Sequence, residues 1–261
     1  MIINVHAGHN PDGKVGCGAI GLIKESTENR KVAKRVIELL VADGHTVYNC
    51  TVDDGTSASN VLSKIVKKCN THDVDLDVSI HFNASANDKK GNGVTTGTEC
   101  YVYSETSKAQ DEAVRICNNI ASLGFKNRGM KVRKDLYVLR KTNAPAVLVE
   151  CCFVDDADDV KLYDTEKMAI AIASGIVGKD LTPKKVTATP QPVKTEAQKP
   201  FQVKIATSSL NIRAGAGTNY KILGSVKKNY IYTIVEVKGS WGKLKSGAGW
   251  ISISTKYVKY I

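Results

Sequence analysis

Short apolar runs alternate with helical patterns through the first two-thirds of the chain. IINV, HTVYNC, LDVSIHF, ECYVYS and PAVLVECCF are rich in β-branched residues, tyrosine and cysteine, and they read as strands. Between and after them, apolar residues recur at helical spacing over 25–43, 58–70, 106–123 and 164–178. Alternation of this kind predicts an α/β fold with a mostly parallel sheet flanked by helices on both faces. Beyond residue 200 the helical period disappears. Short β-type runs split by Gly, Asn and Ser-Gly turns predict a small all-β barrel.

Composition places the boundary between these textures. TPKKVTATPQPVKTEAQKP, residues 182–200, holds four of the six prolines and no aromatic residue. Such a segment buries too little surface to offset its ordering entropy and reads as an extended linker. The expected organisation is therefore a first domain over 1–181, a linker over 182–200 and a second domain over 201–261.

Charge separates the same parts. The chain carries +11 overall, yet residues 1–181 hold 23 basic and 24 acidic side chains, whereas residues 201–261 hold 10 and 1. The excess therefore belongs to the linker and the small domain, which points to an anionic partner for that domain. No apolar run approaches the ~20 residues of a membrane helix, so no membrane insertion is expected. MIINVHAGHN lacks the basic and long apolar regions of a signal peptide, so synthesis in a cytoplasm is expected. Seven cysteines, an odd number without a CxxC pair, read as buried thiols rather than a disulfide framework.

Candidate chemistry lies at strand ends. In an α/β sheet functional groups gather beyond the carboxyl ends of the strands. IINV leads into His6 and His9, DVSI into His81, and AVLV into Glu150, while Glu25 opens the first helix. Two histidines and a carboxylate can hold a catalytic zinc with one position open, and a further carboxylate can carry a proton. His45 and His72 lie in polar turns and read as surface residues, and Glu28 as a helix-face charge. Cys151 and Cys152, beside Glu150, admit a Cys–His peptidase as an alternative. Their place in an apolar run speaks against a reactive thiol.

GHNPDGKVGCGAIGLIKESTEN, DVSIHFNAS and LRKTNAPAVLVECCFVDD together resemble the zinc-dependent type-3 N-acetylmuramoyl-L-alanine amidases of autolysins and phage endolysins. The resemblance runs in order from residue 1 to about 178. It implies one zinc ion held by His9, Glu25 and His81, with Glu150 as the catalytic carboxylate. It also implies peptidoglycan as substrate, cut between N-acetylmuramic acid and L-alanine. Asn83, in the Ser-x-His-x-Asn-Ala element, and Arg140, in YVLRKTNAP, are expected to contact substrate. The family usually has Asp-Pro-Gly-His-Gly where this chain has His6-Ala7-Gly8-His9-Asn10. His6 then replaces an aspartate.

SSLNIRAGAGTNYKILGSVKKN and SWGKLKSGAGWISISTKYVKYI resemble a bacterial SH3-type wall-binding domain. The expected partner of this domain is an anionic cell-wall polymer or peptide. Trp241 and Trp250 are expected in its core. A nucleic-acid module would share the charge, but no helix-turn-helix or RNP-like motif supports one. A non-catalytic wall binder is the other alternative. The combined expectation is a peptidoglycan hydrolase that acts on the bacterial wall after release from the cell.

Overall fold

The computed structural model describes residues 1–183, 200–218, 220–238 and 240–261, so most of the predicted linker lies outside the described residues. The chain divides into two compact units, Met1–Lys184 and Lys185–Ile261.

The first unit is built on six strands: β1 (Ile2–Ala7), β2 (Thr46–Asn49), β3 (Leu76–Asn83), β4 (Thr98–Val102), β5 (Asn127–Val132) and β6 (Ala146–Phe153). Its helices are α1 (Glu25–Ala42), α2 (Ala58–Cys69), α3 (Gln110–Ala121), α4 (Tyr137–Lys141), α5 (Ala157–Leu162) and α6 (Thr165–Val177). The strand order is β2-β1-β3-β6-β4-β5. Every neighbouring pair is parallel except β4 with β6. β3 and β6 are buried along nearly their whole length, which is why they read as continuous apolar runs. One face packs Val5, Ile80 and Val149 under Val36 of α1, Ile116 of α3 and Ile172 of α6. The other packs Leu148 and Tyr101 against Ile65 of α2 and Leu139 of α4.

Three elements escape the hydrophobic pattern. β5, NRGMKV, is a half-exposed edge strand with a glycine inside it, so it shows no alternation. α4 and α5 are too short for a helical period to register. The third predicted helix also starts later, at Gln110 rather than 106.

An aspartate run after β6 shapes the chain that follows β3. Asp155 accepts from the backbone N–H groups of Ser85, Ala86 and Asn87. Asp158 accepts from Asn92 and Gly93, Asp156 from Thr96, and Asp159 from Gly97 and Phe153. Asp156 also caps α5 through Asp158 and Asp159. The 85–97 loop is thus held by ionisable side chains in place of a sheet ladder.

The second unit is an all-antiparallel, seven-stranded sheet: β7 (Phe201–Ile205), β8 (Ser209–Arg213), β9 (Ile222–Lys227), β10 (Ile231–Lys238), β11 (Trp241–Leu244), β12 (Trp250–Ser252) and β13 (Val258–Tyr260). Its core contains Val203, Ile205, Val226, Ile234, Leu244, Ile251 and Val258. Trp250 is buried, with the Lys238 and Lys243 ammonium groups 5.3 and 5.9 Å from its ring centre. Trp241 is half-buried. Among the described residues no helix is long and apolar enough to cross a membrane.

Candidate active site

β1, β3 and β6 run parallel, so their carboxyl ends open on one edge of the sheet. His81 pairs in register with Glu150, and Glu150 with Glu99 of β4. Directly after β1, the Gly8 N–H donates to the Ile80 carbonyl at 3.0 Å. Gly8, His81, Glu150 and Glu99 thus form one row across four strands, with side chains on one face.

His9 and Glu25 close on this row from outside the sheet. Glu25 Oε1 lies 2.9 Å from His81 Nδ1 and 3.3 Å from His9 Nε2. The two imidazoles meet edge to face with ring centres 4.8 Å apart. One ligand atom from each of His9, Glu25 and His81 falls within 4.8 Å of the others. Glu25 is also anchored by its protein neighbours. Its Oε2 accepts from the Ala19 N–H at 2.8 Å and its Oε1 from the Phe82 N–H at 3.1 Å.

The electrostatics fit a divalent cation. Burial works to raise the Glu25 pKa, but the hydrogen bonds and charges of His81 and His9 prevail and hold it well below the usual carboxylate range. Burial lowers the His81 pKa, against the pull of Glu25, and favours the neutral imidazole that a metal requires. Two glycines make the space. A Cβ on Gly18 would stand 2.3 Å from Glu25 Oε2, and one on Gly8 would stand 2.0 Å from His81 Cε1. These residues could hold a zinc ion: two imidazoles and an ionised carboxylate converge on one cradle.

Glu150 stands beside this set. Its Oε2 is shielded from solvent and has no hydrogen-bond partner. Burial raises its pKa well above the carboxylate range, with the charges of Glu25 and Glu99 adding to the shift. A carboxyl group tuned in this way accepts a proton more readily than an exposed one.

His9 has a left-handed backbone, φ 63°, which is uncommon for a residue other than glycine. Arg30 of α1 holds it there. The guanidinium donates to the carbonyls of His9 (2.8 Å), Val52 (3.1 Å) and Ser26 (3.0 Å), and pairs with Asp53. Asn10 assists, donating to the Val15 and Gly55 carbonyls at 2.6 and 2.7 Å. In the sequence Arg30 is one more charge on an amphipathic helix, and only the ring of carbonyls around its half-buried side chain reveals the role. Arg30→Lys is expected to reduce metal affinity by about 10–100-fold, since an ammonium cannot serve several carbonyls at fixed angles. Competition against a fluorescent zinc chelator would measure this.

The other sequence candidates are placed as follows. Asn83 lies at the site, but its amide donates to Glu99 Oε1 at 2.7 Å and its Oδ1 accepts from the Ala84 N–H. Arg140, on α4, is exposed over Tyr137, and among the described residues it makes no hydrogen bond to the cluster. His6 is buried and paired in register with Ser79. Burial, then the neighbouring His81, lowers its pKa to about 3, and its Nδ1 has no partner. His45 binds Asp43 and the N-terminus, His72 stacks on Tyr48, and Glu28 bonds Lys31 and Tyr163. Cys151 and Cys152 are fully buried and burial pushes both thiols well up, which makes them inert as nucleophiles.

Glu99 is a site residue that the hydrophobic pattern did not mark. It is 2% exposed and accepts from Asn83, Tyr101, Arg128 and Lys131. Burial works to raise its pKa, but Lys131, Tyr101 and Arg128 prevail and bring it down to about 2. A carboxyl depressed in this way stabilises the fold above its unfolded pKa, and that stability is lost as pH falls towards 2. Glu99→Gln should therefore cost at most about 3 kcal/mol at neutral pH. The difference from the parent should fade between pH 4.5 and 2 in urea unfolding.

Comparison with known proteins agrees with this geometry. Residues 1–178 match the N-acetylmuramoyl-L-alanine amidase family, and residues 208–259 match the bacterial SH3 domain. The endolysin of Bacillus phage SPP1 is 30% identical, over 98% of this chain and 97% of its own length. The N-acetylmuramoyl-L-alanine amidase LytC of Bacillus subtilis is 34% identical over 68% of this chain and 34% of its own. Among solved structures, the catalytic domain of the CD27L endolysin targeting Clostridia difficile aligns with a TM-score of 0.62 and 28% identity, covering 70% of this chain and 99% of that one. The amidase AmiC2 of Nostoc punctiforme aligns with a TM-score of 0.56 and 27% identity, over 68% and 96%. With the sheet, the ligand cradle and the basic β unit all in these places, the chain belongs to the N-acetylmuramoyl-L-alanine amidase family and carries a bacterial SH3 domain behind its catalytic unit.

Proposed function

We propose that this amidase cuts the bond between the lactyl carbonyl of N-acetylmuramic acid and the L-alanine nitrogen of the stem peptide, using one zinc ion held by His9, Glu25 and His81. The observation that carries this reading is the convergence of those three side chains beside the unpartnered carboxyl of Glu150. Zinc in a set of two imidazoles and one carboxylate acts as a Lewis acid, polarising a carbonyl oxygen and making water a stronger acid. Glu150 takes the proton from the attacking water. It then gives that proton to the L-alanine nitrogen, which would otherwise leave as a strongly basic anion. Glu25, fixed by Ala19 and Phe82, keeps both imidazoles aimed at one point. Burial, with the charges of Glu25 and Glu99, raises the Glu150 pKa and so strengthens it as a proton acceptor.

The SH3 domain supplies attachment. With 10 basic residues and 1 acidic over 201–261, it would bind an anionic wall polymer or the carboxylates of wall peptides. Attachment raises the local concentration of stem peptides at the catalytic unit. The place of action is the bacterial wall.

Digestion of purified peptidoglycan, followed by labelling of new amino groups and new reducing ends, tests the reading. New N-terminal L-alanine that disappears with a chelator and returns with zinc is the expected result. Cleavage that ignores the chelator, or new reducing ends in place of new L-alanine, would overturn it.

A further inference from the structure

Two basic residues of β5, Arg128 and Lys131, and Arg133 just after it lie along the edge of the site, and a strand irregularity decides where the first two point. Residues 128 and 131 are an odd number apart, so in a regular strand their side chains would face opposite sides. The β4–β5 pairing is not regular. Thr98 pairs with Asn127 and Cys100 with Met130, so β5 carries one residue more than β4 between these pairs. Gly129, at φ 79°, takes up the turn of the chain there. As a result Arg128 and Lys131 both reach the same atom, Glu99 Oε2.

The charges in this cluster do not cancel. Glu99 is a single carboxylate, 3% exposed at its side chain, facing two cations that are 30% and 42% exposed. Arg133, the third basic residue, is already paired with Asp135. Arg128 and Lys131 together therefore exceed the charge of the Glu99 carboxylate that holds them by one. Arg128 also meets Glu99 only through Nε, at 2.8 Å, with its guanidinium 5.1 Å from the Phe153 ring centre. Among the described residues its two terminal nitrogens make no hydrogen bond, so the outer edge of the fork is open to a bidentate acceptor. An ion pair serving only to fasten an edge strand needs one cation, and needs no open fork.

We propose that Arg128 and Lys131, held by Glu99 beside Glu150, bind a free carboxylate on the acidic residue that follows L-alanine in the stem peptide. The inference rests on the reading that the enzyme cuts at L-alanine. It adds a chemical preference: a stem whose second residue is a free acid is cut better than one in which that carboxylate is amidated. Glu99 fixes the two cations and leaves their surplus charge for the substrate. The order along the row suits this, since Glu99 is in register with Glu150 and the acidic residue is next to the one whose nitrogen receives the Glu150 proton.

Two synthetic disaccharide tripeptides, identical except for a carboxylate or a carboxamide on the second residue, test the proposal with the full-length zinc-loaded protein. The parent enzyme should show kcat/KM at least about 10-fold higher for the acid, mainly through KM. The ratio should shrink as salt is raised from 50 to about 500 mM, because the contact is partly exposed. Lys131→Met and Arg128→Met should each move the ratio towards one. A ratio near one in the parent overturns the proposal without any variant, whatever the variants do to folding. So do variants that lower both rates by the same factor, which would mark the cluster as structural. Cleavage of neither compound would instead overturn the amidase reading, and the subsite with it.

Discussion

Glu150→Gln should lower the rate of L-alanine release by about 1,000-fold, the usual contribution of a positioned proton carrier, and should at the same time raise the melting temperature. The two effects share a cause. Among the described residues Glu150 has a shielded oxygen without a partner, and burial, with the charges of Glu25 outside the sheet and Glu99 in the same row, raises its pKa. A group whose pKa is raised by folding resists ionisation in the native state, so above its unfolded pKa it subtracts from stability. Glutamine has the same shape and no charge to bury. A gain of about 1 kcal/mol, the worth of roughly one pKa unit no longer imposed on a buried carboxyl, corresponds to about 2–4 °C in a domain of this size. Zinc affinity should change little, since the ligand atoms belong to His9, Glu25 and His81. Calorimetric melting of the metal-free protein, with amine release from peptidoglycan, checks both halves. A variant that is inactive and less stable would refute the account given of Glu150.

Gly8→Ala should cost about 100-fold in activity, the penalty of a misplacement near 1 Å, through a single methyl group that touches neither substrate nor ion. The methyl would stand 2.0 Å from His81 Cε1, 2.2 Å from Nε2 and 2.7 Å from Nδ1. The backbone cannot yield. The Gly8 N–H is bonded to Ile80, and its carbonyl accepts from Asn29 at 3.1 Å. The ring must therefore move, and with it the 2.9 Å contact between His81 and Glu25. Zinc affinity should fall along with activity. The clash is specific enough for a double-mutant cycle: once His81 is also alanine, the stability lost in Gly8→Ala should be recovered. Additive losses in the cycle would show that the methyl acts somewhere else.

Much of this site is legible in the sequence, and the reason is geometric. His81 and Glu150 lie in β3 and β6, two strands buried on both faces, where a polar residue stands out against an apolar run. His9 and Glu25 flank the first loop and first helix in the order that a strand–loop–helix unit imposes. Groups that act through other groups leave no such mark. Arg30 looks like any solvated helix charge until the fold wraps carbonyls around it. Glu99 lies at the start of a short apolar run, and its partners come from β3 and from an edge strand without periodicity. Arg140, a basic residue just before the strand that bears Glu150, lies on α4 with its side chain exposed over Tyr137.

The row of side chains across the sheet has a consequence for how the protein comes to be active. The candidate ligands lie at positions 9, 25 and 81, and the proposed proton carrier at 150, so no local segment contains the whole site. A slip of one residue between β3 and β6 would turn His81 or Glu150 into the hydrophobic layer under α1, α3 and α6. Pairings between segments so far apart in the chain form late, because loop closure must come before the contacts that reward it. On the proposed reading, a zinc ion held by all three side chains would favour the folded chain by mass action. The proposed site of this hydrolase is thus complete only once its long-range strand pairings have formed, and a bound ion would hold them in place.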